Sequence, residues 1–309
     1  YLFSGSTLTD KARLEADADA EVEIIGETAG SYWGSQIRLF DDLNGDGMPD
    51  LVISAPYSTV GEWTTAGQVA MLEWTGESEL YVAEADTLWQ GYFAQNQLGD
   101  TIADLGDVDG DGISDLMLGA DQGYFAFVVS AGSSGGSVVD VAESRLAGND
   151  DPSHTVAISD INGDGVRDVV ALQEGLVQVF TDHSFSLNVS AAFTITDKDG
   201  EFFADAVSIP DRTGDGLDEL AIGTSWSTPI KSSQISILPS DSFSPGSSGD
   251  FDSLTITAVS MRANSNFGSR MIWAESLPDG EEGLLLGGQY DSQEGDSSGA
   301  LTWLSLIHI

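Results

Sequence analysis

The sequence predicts an all-β fold of the β-propeller class. Three observations predict it: an acidic nine-residue pattern that recurs four times, an apolar run after every copy, and a period long enough for four strands. The copies occupy residues 42–50, 107–115, 160–168 and 211–219, here loops 1 to 4, and recur at roughly 50 to 65 residues, the spacing of a repeat architecture. Leu51 to Ile53, Leu116 to Leu118, Val169 to Ala171 and Leu220 to Ile222 follow them. A worn fifth copy covers residues 275–283 and runs into Leu284, Leu285 and Leu286.

The elements of a repeat follow in order. A lead-in comes first: Gly34 and Gly99 stand before loops 1 and 2, and Phe203-Ala204 and Phe267-Gly268 hold the matching place in the fourth and fifth repeats. Ile37 and Leu39 then alternate with polar residues, as in a half-buried strand. The run 51–53 is continuously apolar, as in a strand buried on both faces. Residues 68–74 alternate again, and 87–89 are expected to open the next repeat. Matching third strands are expected at 124–129, 176–180, 234–238 and 300–304, and no segment has the pattern of a long helix, although 10–19 has room for a turn or two.

Four-stranded units of this length cannot bury both faces alone, so neighbours must stack, which makes a propeller. A β-solenoid needs shorter repeats, and an array of β-sandwiches would space the acidic loops less regularly. The expected units are 1–25 (partial), 26–83, 84–145, 146–193, 194–255 and 256–304, one propeller over 1–304, with 305–309 a tail expected to be non-native.

Composition narrows the function. Of 309 residues, 41% are hydrophobic, enough for a core. There are 51 Asp and Glu against 10 Lys and Arg, a formal net charge of −41. Such a surface repels nucleic acid and anionic lipid and attracts cations. The absence of Cys removes disulfides, zinc–thiolate sites and thiol catalysis. No apolar run approaches the ~20 residues of a membrane-spanning helix. The chain starts at Tyr1 without a leader pattern and is expected to be a mature form or a fragment.

Loop chemistry points to a hard cation. Position 1 is Asp42, Asp107, Asp160 or Asp211; position 3 is Asn44, Asp109, Asn162 or Thr213; position 5 is Asp46, Asp111, Asp164 or Asp215. Glycines at positions 4 and 6 let the chain curl so that these oxygens converge. Position 7 offers a backbone carbonyl, from Met48, Ile113, Val166 or Leu217, and position 9 returns a carboxylate, from Asp50, Asp115, Asp168 or Glu219. An all-oxygen cage suits Ca²⁺, with six to eight ligands at ~2.3–2.6 Å, better than Mg²⁺, and has no soft ligand for zinc or copper. About four Ca²⁺ ions are expected. An EF-hand needs a bidentate Glu at position 12 between helices; here that position is Ile53, Leu118, Ala171 or Ile222, inside strands.

Ligand charge orders the sites. Loop 2, with Asp107, Asp109, Asp111 and Asp115, is expected to be tightest. Loop 4 is expected to be weakest, because Thr213 replaces an amide and Glu219 is longer than Asp, with the field of Asp218 in partial compensation. Leu277 and Gly283 leave the fifth copy too few ligands, and it is expected to be empty.

This pattern, followed by Ile53-Ser54-Ala55-Pro56 or Leu118-Gly119-Ala120 and preceded by Gly34 or Phe267-Gly268, resembles the FG-GAP repeat. That repeat occurs in integrin α subunits and in many bacterial surface and secreted proteins. The resemblance spans roughly residues 26 to 304 and implies a propeller, commonly seven-bladed, whose metal loops join two strands of a blade and whose partners bind mainly on the opposite face. About five blades plus a partial N-terminal one are then expected here, a fragment of a seven-bladed ring. The expected function is a calcium-binding adhesion or recognition module for a protein or glycan, extracellular, at the cell surface or periplasmic, and not an enzyme.

Other constellations are weaker. Residues 132–136 and 295–299 match Gly-x-Ser-x-Gly, but a hydrolase elbow needs a strand before and a helix after, and His154, His183 and His308 lack a triad context. Most tryptophans are expected to pack between blades, while Trp63 and Trp226 fall in loops where they can anchor a ligand. Residues 188–190 form a glycosylation sequon. The alternatives are a propeller-based carbohydrate-active enzyme and a structural spacer in a larger surface protein.

Overall fold

In a computed structural model, the described residues are 1–3, 15, 20–40, 42–73, 76–121, 126–130, 132–146, 154–173, 175–181, 191–196, 202–225, 232–240, 247–250, 259–263, 267–274, 282–288 and 300–305. The expected turns at 10–19, the fifth loop and the tail lie outside them, apart from Glu15, Glu282, Gly283 and Ser305.

The fold is all-β. Strand β1 (Glu23–Ile25) precedes the first repeat. The first sheet contains β2 (Ile37–Phe40), β3 (Asp50–Ala55), β4 (Gln68–Glu73) and β6 (Thr87–Gln90), with β5 (Glu79–Tyr81) leaving it to pair in parallel with β1. The second contains β7 (Ile102–Gly106), β8 (Asp115–Gly119), β9 (Ala126–Ser130) and β11 (Ser144–Leu146), while β10 (Gly136–Ser137) adds in parallel to β6 of the first. The third contains β12 (His154–Ala157), β13 (Val169–Gln173), β14 (Leu176–Phe180) and β15 (Phe193–Thr196). The fourth contains β16 (Phe202–Ile209), β17 (Glu219–Ser225), β18 (Ser232–Leu238) and β20 (Val259–Ala263), while β19 (Ser247–Asp250) adds in parallel to β15. The fifth, over the described residues, is β21 (Phe267–Ala274), β22 (Gly283–Gly288) and β23 (Ala300–Ser305). Each is an antiparallel meander in chain order, consistent with the blades of a β-propeller.

Two details differ from the sequence reading. Residues 87–89, expected to open the second repeat, form the outer strand of the first sheet, with Ala70 opposite Leu88 and Met71 opposite Thr87. Alternation suits an outer or an inner strand equally, so only pairing settles the assignment. The parallel additions β10 and β19 were not anticipated, because two to four residues carry no readable periodicity. The described helical turns, Val82–Glu84 and Val138–Val141, both lie between the third and fourth strands of their sheets.

The chain divides into two compact units, one of residues 1–103, 109–122 and 127–143, the other of residues 104–108, 123–126 and 144–309. In the second unit, β17 explains the stacking. Leu220 and Ile222 join Val170, Leu172, Val177, Val179 and Phe203 in one buried cluster. Ala221, on the opposite face because strand side chains alternate, joins Ile235, Leu284 and Leu286, with Met271 and Trp273 packed alongside. One strand thus serves two interfaces, which is why its run is continuously apolar. In the first unit, Leu51, Ile53, Ala70, Leu72 and Val82 form a cluster against which Trp33 packs. Trp89 is fully buried and its indole N–H donates to Ser133 Oγ at 3.0 Å. The lead-in glycine has a steric reason as well: Gly99 has φ +93°, and a Cβ there would lie 2.6 Å from Ser54 Cβ.

One buried charge links the fourth and fifth sheets. A register shift between Phe203 and Asp205 turns Asp205 inward. It is 6% exposed and accepts the Met271 N–H at 2.6 Å and the Ala206 N–H at 3.0 Å. Burial pushes its carboxyl up to about 6, against the lowering pull of the Met271 N–H and the charge of Arg270. With the folded pKa above the unfolded one, protonation favours the fold as pH falls through 6 toward 4. The stability of the parent relative to Asp205→Asn should therefore rise by on the order of 2 kcal/mol from pH 8 to pH 4. Denaturant titrations of both proteins check this; a pH-independent difference contradicts it.

Candidate functional site

The four loops join the first strand of a sheet to the second, and they share one hydrogen-bond skeleton. The position 1 carboxylate accepts from positions 4 and 6. For Asp42 these are the N–H groups of Gly45 at 2.7 Å and Gly47 at 2.9 Å. For Asp160 they are Gly163 at 2.6 Å and Gly165 at 2.7 Å, and for Asp211, Gly214 at 2.6 Å and Gly216 at 2.8 Å. The position 7 N–H donates to the position 5 carboxylate, over 2.7 to 2.9 Å in all four loops. Glycines at positions 4 and 6 have φ between +80° and +92° throughout, the left-handed region where a side chain is penalised.

Position 9 begins or directly precedes the central strand, and it is buried. Asp50, Asp115, Asp168 and Glu219 are 0%, 1%, 0% and 2% exposed. The acid closes the loop by accepting the position 2 N–H: Leu43 to Asp50 at 2.6 Å, Ile161 to Asp168 at 2.8 Å, Arg212 to Glu219 at 2.8 Å. Burial raises Asp50 above its ordinary value and pushes Asp168 up to about 7. Both are opposed by backbone N–H groups and raised further by the loop's own acids.

Loop 2 brings three carboxylates together. Oxygens of Asp107, Asp109 and Asp115 lie within 4.8 Å of one another. Donors ~2.3–2.6 Å from one ion are at most ~5 Å apart, so this set fits a hard divalent cation. In loop 1 the Asn44 amide donates to Asp46 at 3.2 Å and Asp50 at 3.4 Å, and in loop 3 the Asn162 amide donates to Asp164 at 2.9 Å. A cation in either loop requires the amide to turn its Oδ1 toward the carboxylates. In loop 4, Glu219 commits one oxygen to Arg212 N–H and the other to Thr213 N–H at 3.2 Å. Asp215 also accepts the Ser240 hydroxyl, which holds it below the usual carboxylate range. The backbone N–H groups of Gly214 and Gly216 lower Asp211 likewise.

Sequence reasoning missed the groups that border the loops from the connection between third and fourth strands. Glu143 beside loop 2 is raised by burial and then by Asp115, Asp109 and Asp111, and its Oε2 is buried without a hydrogen-bond partner. Glu73 beside loop 1 is raised by desolvation and by Asp46, Asp86 and Asp50. The Thr181 carbonyl accepts from Asn162 in loop 3 at 3.0 Å. Within loop 4 itself, Asp218, expected to act on that loop through its field, accepts the Ser159 hydroxyl at 2.6 Å. The available signal was topological: in a meander, the third connection returns to the same end as the first.

The other end of the first unit differs in kind. Every described non-glycine residue with positive φ lies there: Tyr32 (59°), Thr65 (50°), Gln95 (69°) and Gln97 (54°). Tyr32 is 67% exposed and meets Tyr57, 48% exposed, edge-on at 5.3 Å. Trp63, on a tight turn closed by paired Val60 and Trp63 hydrogen bonds, is 37% exposed. The turn is stapled to the next lead-in, Gln95 N–H donating to Thr64 O at 2.9 Å and Leu98 N–H to Ala66 O at 3.0 Å. Segments 26–36, 56–67, 91–101 and 120–121 hold Glu27, Glu62, Asp100 and Asp121 and no Lys, Arg or His. Trp226 lies outside the described residues.

The FG-GAP repeat family matches residues 39–71, and the FG-GAP-like repeat family matches residues 107–171. The chain carries FG-GAP repeats. It is integrin-α-like along them: integrin alpha-4 of Xenopus laevis is 37% identical over 101 residues, 32% of this chain and 9% of that protein. Integrin alpha-PS5 of Drosophila melanogaster is 28% identical over 165 residues, 50% and 16% of the two chains. Integrin alpha-3 of Mus musculus is 31% identical over 134 residues, 43% and 12%. The FG-GAP chain thus spans 9% to 16% of the length of these relatives. Among the described residues no helix is long and apolar enough to cross a membrane. The two segments matched by the family models contain loops 1 to 3; loop 4, outside them, shares their nine-residue pattern and hydrogen-bond skeleton.

If Glu143 adds its field to loop 2, Glu143→Gln should weaken Ca²⁺ there by several-fold, roughly 1 kcal/mol. Titration calorimetry against Asp109→Ala, which removes one of the three clustered loop 2 carboxylates, identifies the affected site. Unchanged binding in Glu143→Gln counts against the role.

Proposed function

We propose that this FG-GAP chain is a calcium-held recognition module that binds a protein or glycan at the end of its sheets opposite the metal loops. Its sheets are blades of a propeller, and it works outside the cytoplasm, at a cell surface or in a periplasm. About four Ca²⁺ ions take the oxygens of loops 1 to 4, loop 2 most tightly and loop 4 least, and their role is structural.

The observation that carries this reading is the division between the two ends. One end gathers oxygen ligands on a repeated, glycine-bent skeleton. The other displays Tyr32, Tyr57 and Trp63 on a frame held by hydrogen bonds between loops, with positive φ at Tyr32, Thr65, Gln95 and Gln97. Backbone strain kept in place by its surroundings is a feature of binding sites, and exposed aromatic rings on a rigid frame are interface anchors. The four carboxylates and absence of basic residues in those segments favour a partner with basic or neutral groups over an anionic polymer.

Binding fits the chain better than catalysis. In the Gly-x-Ser-x-Gly segment at 132–136 the serine at the nucleophile position is Ser134, and the segment ends in the two-residue strand β10, which stands before the next helical turn. A nucleophile elbow passes directly from strand to helix.

Excess EGTA should lower the melting temperature, since each saturated site contributes about 2.7 kcal/mol at 100-fold excess of ligand over Kd. Glycan arrays and protein pull-downs from an extracellular extract, each with and without calcium, should show capture only with calcium. Combined Tyr32→Ala and Trp63→Ala changes should abolish capture and leave the EGTA shift intact. An unchanged melting curve in EGTA refutes the calcium role, and capture that survives the double change refutes the surface.

A further inference from the structure

Loops 3 and 4 are physically joined, through residues that are not themselves metal ligands. Ser159 directly precedes Asp160, the first ligand of loop 3. Asp218 directly precedes Glu219, the last ligand of loop 4. The Ser159 hydroxyl donates to Asp218 Oδ2 at 2.6 Å, and the Ser159 N–H donates to Ser208 Oγ on β16 at 2.6 Å. The same two loops touch a second time: a Cβ on Gly163, position 4 of loop 3, would lie 3.2 Å from Leu217 Cδ2, position 7 of loop 4. Ser159 and Asp218 are both half-buried, so the bond is partly shielded from water.

We propose that cation binding at loops 3 and 4 is coupled, and that the Ser159–Asp218 hydrogen bond between the two loops carries the coupling. This rests on the reading that both loops bind calcium. Asp218 stands between two donors of loop 4, the Leu217 carbonyl and the Glu219 carboxylate. When an ion draws these together, the Asp218 carboxylate and the Leu217 side chain must move with them. Both bear on the start and the turn of loop 3, where the Asp160 carboxylate holds the N–H groups of Gly163 and Gly165. An ion in loop 4 therefore favours the loop 3 geometry that receives an ion, and by thermodynamic linkage the reverse holds equally. Ser159 and Asp218 are positioning residues in this scheme.

The position of Asp218 within its loop also shows why the device is specific to this pair. Position 8 is Pro49 in loop 1, Ser114 in loop 2 and Arg167 in loop 3. Arg167 reaches the preceding sheet through its backbone, its N–H donating to the Leu105 carbonyl at 3.2 Å. Only at loop 4 does the position 8 side chain supply a carboxylate that meets a hydroxyl placed just before the neighbouring loop.

The test is a Ca²⁺ titration of the full chain labelled with ¹⁵N-glycine. The amides of Gly165 and Gly216 donate to the position 1 carboxylates of loops 3 and 4 and report each site separately. Asp215→Ala, which disables loop 4, should weaken Ca²⁺ at loop 3 about fivefold, and Asp164→Ala should weaken loop 4 by the same factor. Asp215→Asn, which keeps an acceptor for the Ser240 hydroxyl, replaces Asp215→Ala if the latter fails to fold. In a Ser159→Ala background both effects should vanish, whereas Asp218→Asn, which still accepts the Ser159 hydroxyl, should preserve them. Sites that bind calcium independently, or an effect that persists in Ser159→Ala, overturn the coupling and leave the calcium reading standing. If neither glycine amide responds to millimolar Ca²⁺, the calcium reading fails and the coupling with it.

Discussion

Four carboxylates, Asp50, Asp115, Asp168 and Glu219, stand at the start of the central strands with at most 2% of their surface exposed. A charge removed from water is costly unless hydrogen bonds and opposite charge surround it. The position 2 N–H supplies part of that in loops 1, 3 and 4, and the glycine-bent loop turns further oxygens toward the same point. Burial, together with the charges of Asp164 and Asp160, pushes Asp168 up to about 7 against the backbone N–H groups that lower it. The sheet interior and the metal loop are therefore one structure: the residue that terminates the loop begins the strand that fills the core.

That strand imposes the rest of the packing. Because its side chains alternate, Leu220 and Ile222 serve one neighbouring sheet and Ala221 the other. A sheet with two apolar faces has no stable solvent-exposed state and needs stacked neighbours. Two polar groups enter these interfaces with hydrogen-bond partners. Asp205 is held by two backbone N–H groups, and Trp89 by a serine hydroxyl. Between loops 3 and 4 the contact is a hydroxyl–carboxylate pair, so neighbouring repeats touch at the acidic end as well as through the core.

The meander also separates two kinds of chemistry. Connections between first and second strands, and between third and fourth, collect acidic groups at one end. In the first unit, lead-ins and connections between second and third strands collect positive-φ backbone and exposed aromatic rings at the other. Rigidity comes from different sources. Backbone hydrogen bonds between loops 60–67 and 91–98 set the aromatic end. At the acidic end, carboxylates accepting backbone N–H groups do so.

Much of this was legible in the residues. The recurring nine-residue pattern, the glycines at positions 4 and 6 and the apolar run after position 9 determined the all-β class, the loop skeleton and the central strands, since each depends on local backbone conformation and side-chain alternation. Trp63 was readable as exposed from its place between turn residues. Tertiary structure decided the remainder. The strand at 87–90 belongs to the first sheet because of its pairing with β4, which alternation alone cannot specify. Glu143, Glu73 and the Thr181 carbonyl border the loops because a meander returns its third connection to the same end, over a sequence distance too long for a local pattern. Asp218 illustrates the limit most directly. Its neighbours in sequence suggest a charge serving its own loop, and folding places its oxygen against Ser159, 59 residues away, where a hydrogen bond has to be made in space before it has any meaning in sequence.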